Sequence, residues 1–254
     1  MRNPTRRNRN IGTAKQGAGQ HNRLTIPSAG TGSKHFYERL EPYEKTEKII
    51  HGHTFIFITE KHHPSSPHAC TVNDIARILS YLPPADYGDL KFIVLRQPKR
   101  KEEIISHVWG RLIYSYEFEN EYYPAVILET ANYRKPFKWK RNLDPDDQQE
   151  LARLREDGHV FVEDKRSFTT MLESAAVRNT QLYRTLLHEL GHYVHYLTLV
   201  QPFAEDAHEE AGDKREDNYF RLPKDTKEKF AHQYADQWRA KLLLAQLIPF
   251  ERME

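Results

Sequence analysis

The sequence predicts an α+β domain, because strand-forming and helix-forming runs occupy different parts of the chain. β-Branched and aromatic runs gather between Thr54 and Ala131, whereas the C-terminal third repeats apolar residues at helical spacing. Strands in one run followed by helices in another place a mixed sheet against C-terminal helices. A chain of 254 residues with 38% hydrophobic content is long enough for one substantial domain plus a tail.

The tail is expected at the N-terminus. Residues 1–34 hold seven basic residues and no Asp or Glu, so with a chain total of +2 the remainder carries −5. A basic, Gly/Asn/Thr-rich arm buries too little apolar surface to fold and is expected to be disordered. It suits nucleic acid or anionic surfaces, or serves only as a solubilising leader. The domain then spans residues 35–254.

Within it, Thr54–Thr59 reads as a strand and residues 61–70 as a loop. Thr71 or Asn73 can cap a short helix through Tyr81, which Pro83-Pro84 stops. Strands follow at Lys91–Leu95, Arg111–Phe118 and Ala125–Ala131, the second alternating only in part, with Glu119-Asn120-Glu121 as a hairpin link. Residues 132–143, basic and aromatic, read as a surface loop. Asp144-Pro145 opens a helix that ends at Gly158, and His159–Glu163 reads as another strand. Asn179 caps a helix carrying Leu182, Leu186, Leu190, Tyr193 and Leu197. Residues 203–218 read as an acidic loop, and a last helix runs from Asp225 to Leu247.

Several function classes drop out. No apolar run approaches the roughly 20 residues that cross a bilayer, so no membrane contact is expected. The N-terminus lacks the apolar core of a secretory signal. Cys70 is the one cysteine, which excludes an intrachain disulfide and any Cys-rich zinc finger. Together these features predict a cytoplasmic protein. There is also no Gly-rich phosphate loop and no Ser nucleophile elbow.

The chemistry gathers at His188-Glu189-Leu190-Gly191-His192, an HExxH sequence. On a helix, residues four apart share a face, so both imidazoles reach one ion. Zinc takes such nitrogen ligands and, in catalytic sites, leaves a position for water. Glu189 sits beside that water as general base. The alternative is an ordinary amphipathic helix with a polar stripe. Burying two His and a Glu in so apolar a stretch without a shared ligand is costly, however. Glu228 is the candidate third ligand, because Ala231 and Ala235 on its side of the helix let two helices approach closely. His232 and Asp236 are its rivals.

The pattern ExFAxxYA from Glu228 to Ala235, 36 residues past His192, resembles the glutamate-ligand zincins, or gluzincins. Within them it looks most like the ImmA/IrrE-like peptidases and the lethal-factor-like domains. The resemblance covers Asn179 to Asp236, and it departs from the ImmA/IrrE-like pattern at His232, where that group typically has Asn. A metzincin would need Gly and His where this chain has His195 and Thr198. The resemblance implies a zincin-like fold, a twisted mixed sheet packed on the HExxH helix and a C-terminal glutamate-ligand helix, with an edge strand bordering the cleft. It implies a zinc endopeptidase acting on a peptide or protein substrate, with one Zn2+ held by His188, His192 and Glu228. Tyr219, in a loop able to fold over the cleft, or His232 would then assist the developing oxyanion. The competing reading is a metal-stabilised regulatory or binding protein without peptidase activity, associated with nucleic acid through the arm.

Three features stand outside this site. His51, His53, His62, His63 and His68 cluster as a possible second metal site or as solvated loop histidines. Residues 205–217 lack the spacing of a calcium loop and read as a solvated lid. Tyr133–Arg141 interleaves cations with aromatics, which suits nucleic acid or simply covers the core.

Overall fold

In the computed structural model the described residues are 35–40, 42–99, 109–201 and 209–254. Residues 1–34, and with them the expectations of a disordered arm and of nucleic-acid contact through it, lie outside these. Tyr37–Glu254 forms one compact unit, which carries every element below.

Five strands form a mixed sheet. β1 (Tyr43–Ile50) and β2 (His53–Glu60) make a hairpin whose turn residues, His51 and Gly52, both take positive φ. β3 (Phe92–Arg96) runs parallel to β2. β4 (Gly110–Phe118) and β5 (Glu121–Glu129) form a second hairpin through Glu119 and Asn120, again with positive φ, and β5 lies parallel to β3. The order β1-β2-β3-β5-β4 leaves β4 at the edge. Every residue of β3 is buried, which is why its sequence is a continuous apolar run rather than an alternating one. Phe55, Phe57, Ile93, Leu95, Val126 and Leu128 pack with the helices, while Ile56, Ile58, Val94 and Ile127 form a smaller cluster with Tyr116 and Phe118.

The partial alternation of RLIYSYEF has a structural cause. The β4–β5 register shifts between Ile113 and Tyr116, with one extra residue on β4, a bulge. Leu112 and Tyr114 therefore pack toward the helices, yet Ile113, Tyr116 and Phe118 share the other face despite their mixed parity.

Around the sheet lie α1 (Val72–Leu79), capped by Thr71 in a capping box with Asp74, and α2 (Pro145–Glu156), capped by Asp144. Residues 132–143 are not all loop, as the sequence suggests. Pro136–Lys140 is a strand, β6, in a small antiparallel sheet ordered β6-β8-β7, with β7 at Val162–Glu163 and β8 at Ser167–Met171. Only the end of the expected strand at His159–Glu163 forms. The next helix starts at Ser174 rather than after Asn179. α3 (Ser174–Thr180) passes through a π-helical turn (Gln181–Thr185) into α4 (Leu186–Val200). Asn179 caps nothing; it donates to the Asp157 carbonyl at 3.1 Å. Glu209–Arg221 is helix α5, not the acidic loop expected of 203–218, because the charged run also has helical propensity. α6 spans Lys224–Leu244. The protein is thus α+β with a mixed sheet, and no described helix is long and apolar enough to cross a membrane.

One buried ion pair ties the helical layer together. Arg178 of α3 grips Asp74 of α1 with two bonds, at 2.8 and 3.0 Å, and Asp74 also accepts from the Met253 N–H at 3.0 Å. Burial opposes the Asp74 charge, but the bonds from Arg178, Met253 and Thr71 win and hold its carboxyl below the usual range. Asp74→Asn is expected to cost about 3 kcal/mol, since Arg178 is then buried without its counter-ion. A depressed carboxyl pKa gives stability that is complete above the unfolded value of about 4. That stability is lost as pH falls through the folded value. Urea unfolding of both proteins at pH 7 and at falling pH measures this, and identical midpoints at pH 7 would contradict the role given to the pair.

Candidate metal centre

α4 presents His188 and His192 one turn apart, with their Nε2 atoms 3.1 Å from each other. Glu228 of α6 brings Oε2 to 3.3 Å from His188 Nε2 and 3.6 Å from His192 Nε2. In a tetrahedral zinc site with bonds of 2.0–2.1 Å, ligand atoms lie about 3.3 Å apart. Three ligand atoms are therefore spaced as one ion would space them. Both His side chains are 15% exposed and Glu228 35%, so the group is partly open to solvent. Bonds to His188 and His192 hold the Glu228 carboxyl far below its ordinary pKa, against a smaller opposing effect of burial.

Glu228 reaches the imidazoles because α4 and α6 nearly touch. A Cβ on Gly191 would stand 2.9 Å from both Cα and O of Ala231 and 3.1 Å from Tyr234 Cβ. Ala231 and Ala235, buried along the same seam, add no bulk. The spacing HExxH with Gly at its fourth position thus does two jobs. His188 and His192 make the ligand face, and Gly191 admits the helix that completes it.

Glu189 lines the cleft opposite β4, and the Leu112 backbone there favours its charged form. Burial nonetheless raises its pKa, with His188 and His192 pulling the other way. A cleft of about 360 Å³ fronts the group, lined by Gly110, Arg111, Leu112 and Tyr114 of β4, with His188, Glu189, His192 and Glu228 opposite. The start of β4 is fixed by the π turn. Gln181 donates to the carbonyls of Glu129 at 2.7 Å and Trp109 at 3.3 Å. Gly110 packs where a Cβ would come within 2.7 Å of the Thr185 methyl.

The two assisting residues suggested by the sequence fare differently. Tyr219 belongs to α5, not to a loop, and is buried; its hydroxyl donates to the His192 carbonyl at 3.1 Å and lies 2.7 Å from the Tyr114 hydroxyl. It braces α4 and does not line the cleft, whereas Tyr114 does. Tyr114 escaped the sequence reading because the bulge hides the alternation that pairs it with Leu112. His232 packs against His188 with the rings tilted by 47° and their centroids 4.4 Å apart, and its Nε2 faces the Arg153 guanidinium at 3.3 Å. Burial, helped by His188 and Arg153, lowers its pKa to about 4. His188, Glu228 and His232 also bring one ligand atom each within 4.8 Å of one another. Since Arg153 lies against His232 Nε2, the set with His192, whose ligand atoms are 3.1–3.6 Å apart, is the better cage. Asp236 is exposed, two turns beyond Glu228 on α6.

The histidines between His51 and His68 have structural partners. His51, His53 and His68 bond to the carbonyls of Ser80, Leu90 and Glu60, and His63 to Ser65. His195 stacks on Phe230 at 4.3 Å. Among the described residues, the group at α4 and α6 is the one cluster able to hold a metal. His188 Nδ1 is buried without a partner, so this ring is oriented by packing on His192 and His232 rather than by a bond from its far nitrogen. No family model, curated protein or solved structure matches the chain.

Gly191→Ala tests the helix contact by its sign. Ala normally stabilises a helix by about 1 kcal/mol over Gly. Here the added methyl meets backbone, and a net loss of about 1–3 kcal/mol is expected. Chemical denaturation decides between them, and a stabilised variant would show that the seam is looser than described.

Proposed function

We propose that the protein is a zinc-dependent endopeptidase with a zincin-like arrangement, in which His188, His192 and Glu228 hold the metal and Glu189 is the general base. The observation that carries this reading is the convergence of three ligand atoms at 3.1–3.6 Å beside a carboxylate that is not one of them. Two imidazoles and one carboxylate suit zinc, which would supply a Lewis acid and lower the pKa of a water in the cleft.

The chain's own groups then divide the work. Glu189 accepts a proton from the attacking water and passes it to the leaving nitrogen. A carboxyl whose pKa is raised by burial holds that proton more strongly than an exposed one does. The Tyr114 hydroxyl, shared with Tyr219 in the resting site, turns to the carbonyl oxygen as negative charge builds there. β4 has β5 on one side and, among the described residues, no strand on the other. Its outer edge can therefore pair with an extended peptide and lay the scissile bond beside Glu189.

Glu189→Gln is expected to lower peptide hydrolysis by at least about 100-fold while metal content stays that of wild type. Full activity in this variant would remove the base from the mechanism. For Tyr114→Phe, kcat is expected to fall about 100-fold with KM nearly unchanged, the pattern of a contact made in the transition state. A change confined to KM would make Tyr114 a binding residue instead.

A further inference from the structure

The cleft at the metal centre is also lined by two lysines, Lys224 and Lys227, from the first turn of α6. With Glu228 they stand at i, i+3 and i+4, so one helix face carries a candidate metal ligand and two ammonium groups. The acids of the cleft, Glu189 and Glu228, do not neutralise them. Among the described residues neither lysine forms an ion pair with a carboxylate. The third cation of the cleft, Arg111, is engaged with Glu129 at 2.9 Å.

Lys227 is held in place but not used up. Its Nζ donates to the Phe220 carbonyl at 3.4 Å and lies 5.6 Å from the centre of the Tyr219 ring. An ammonium has three donors, and one bond that long leaves it able to take a stronger acceptor. The Tyr219 hydroxyl in turn meets that of Tyr114, so Lys227 packs on one member of the tyrosine pair at the cleft. Lys224 is exposed; it also borders a neighbouring cavity that holds Asp146, Asp147 and Asp225, yet pairs with none of them. Helix stability does not explain either lysine, because cations in a first turn oppose the helix dipole.

We propose that Lys224 and Lys227 form a carboxylate-binding subsite, which directs cleavage to a peptide bond next to a negative charge of the substrate. The inference rests on the peptidase reading for the reaction and on the two ammonium groups for the selectivity. Side chains one turn apart on a helix are about 5–6 Å apart at Cβ. An extended peptide advances about 3.3 Å per residue, so the bound carboxylate belongs within about two residues of the scissile bond. An Asp or Glu side chain there, or the free C-terminus of a short peptide, offers the same chemistry.

Binding can be read without turnover. Zinc-loaded Glu189→Gln protein is titrated into three fluorescent peptides of one extended apolar sequence. The first has a central Glu and an amidated C-terminus, the second a central Gln and a free C-terminus, and the reference a central Gln and an amidated C-terminus. At least one carboxylate-bearing peptide is expected to bind about tenfold more tightly than the reference, and which of them does so tells side chain from terminus. Adding Lys224→Ala/Lys227→Ala is expected to abolish that preference, whereas Lys227→Arg, which keeps a cation in place, retains most of it. Thermal unfolding and zinc content, measured on each variant, show that the fold and the metal are intact. The proposal is overturned if neither carboxylate peptide binds more tightly than the reference. It is equally overturned if the preference survives the double alanine variant, since the carboxylate then sits on the metal. Wild-type hydrolysis separates the two readings. Selective binding without cleavage of any peptide sinks the peptidase and leaves the subsite, whereas cleavage of all three at equal rates keeps the peptidase and removes the subsite.

Discussion

Glu228 meets His188 and His192 only because two helices approach to backbone contact at Gly191 and Ala231. A side chain at Gly191, or a bulkier one at Ala231, would hold α6 away and draw the Glu228 carboxylate off the two imidazoles. The remaining architecture serves this approach. Tyr219 braces the carbonyl end of the His192 turn, and Tyr234 reaches across from α6 to Asp86 with a 2.7 Å bond. The Asp74–Arg178 pair locks the start of the same helical run to α1.

The second constraint is set by the sheet. β4 is an edge strand, and its bulge turns Leu112 and Tyr114 toward α4 while Tyr116 and Phe118 stay in the opposite cluster. The bulge thus allows one strand to serve the core of the sheet at one end and the cleft at the other. Leu112 and Tyr114 line the cleft together with His188, Glu189 and His192, so the edge strand and the HExxH helix meet at one site.

Much of this was legible in the residues. The strands β2, β3 and β5 show as apolar runs, and the caps Thr71 and Asp144 mark α1 and α2. Spacing alone puts His188 and His192 on one face, and the small residues Ala231 and Ala235 identify the helix that brings Glu228. Other parts were hidden by competing signals. β6 reads as a loop because Lys alternates with Phe and Trp on a half-exposed sheet, and α5 reads as a loop because eight of its 13 residues are charged. The start of α3 was misplaced because Asn179 is a good cap in isolation but here bonds to Asp157. Tyr114 could not be separated from Tyr116 by alternation, since the bulge that separates them leaves no local mark. The choice between Tyr219 and Tyr114 depends on three-dimensional placement, which sequence spacing does not encode.

Metal content tests the central claim most directly. Elemental analysis of wild type, Glu228→Ala and His232→Ala, each purified without chelator, compares the two possible ligand sets. The account predicts about one zinc per chain in wild type, sharp loss in Glu228→Ala and near-wild-type content in His232→Ala. A wild type without zinc, or zinc that survives Glu228→Ala and is lost with His232→Ala, would contradict it.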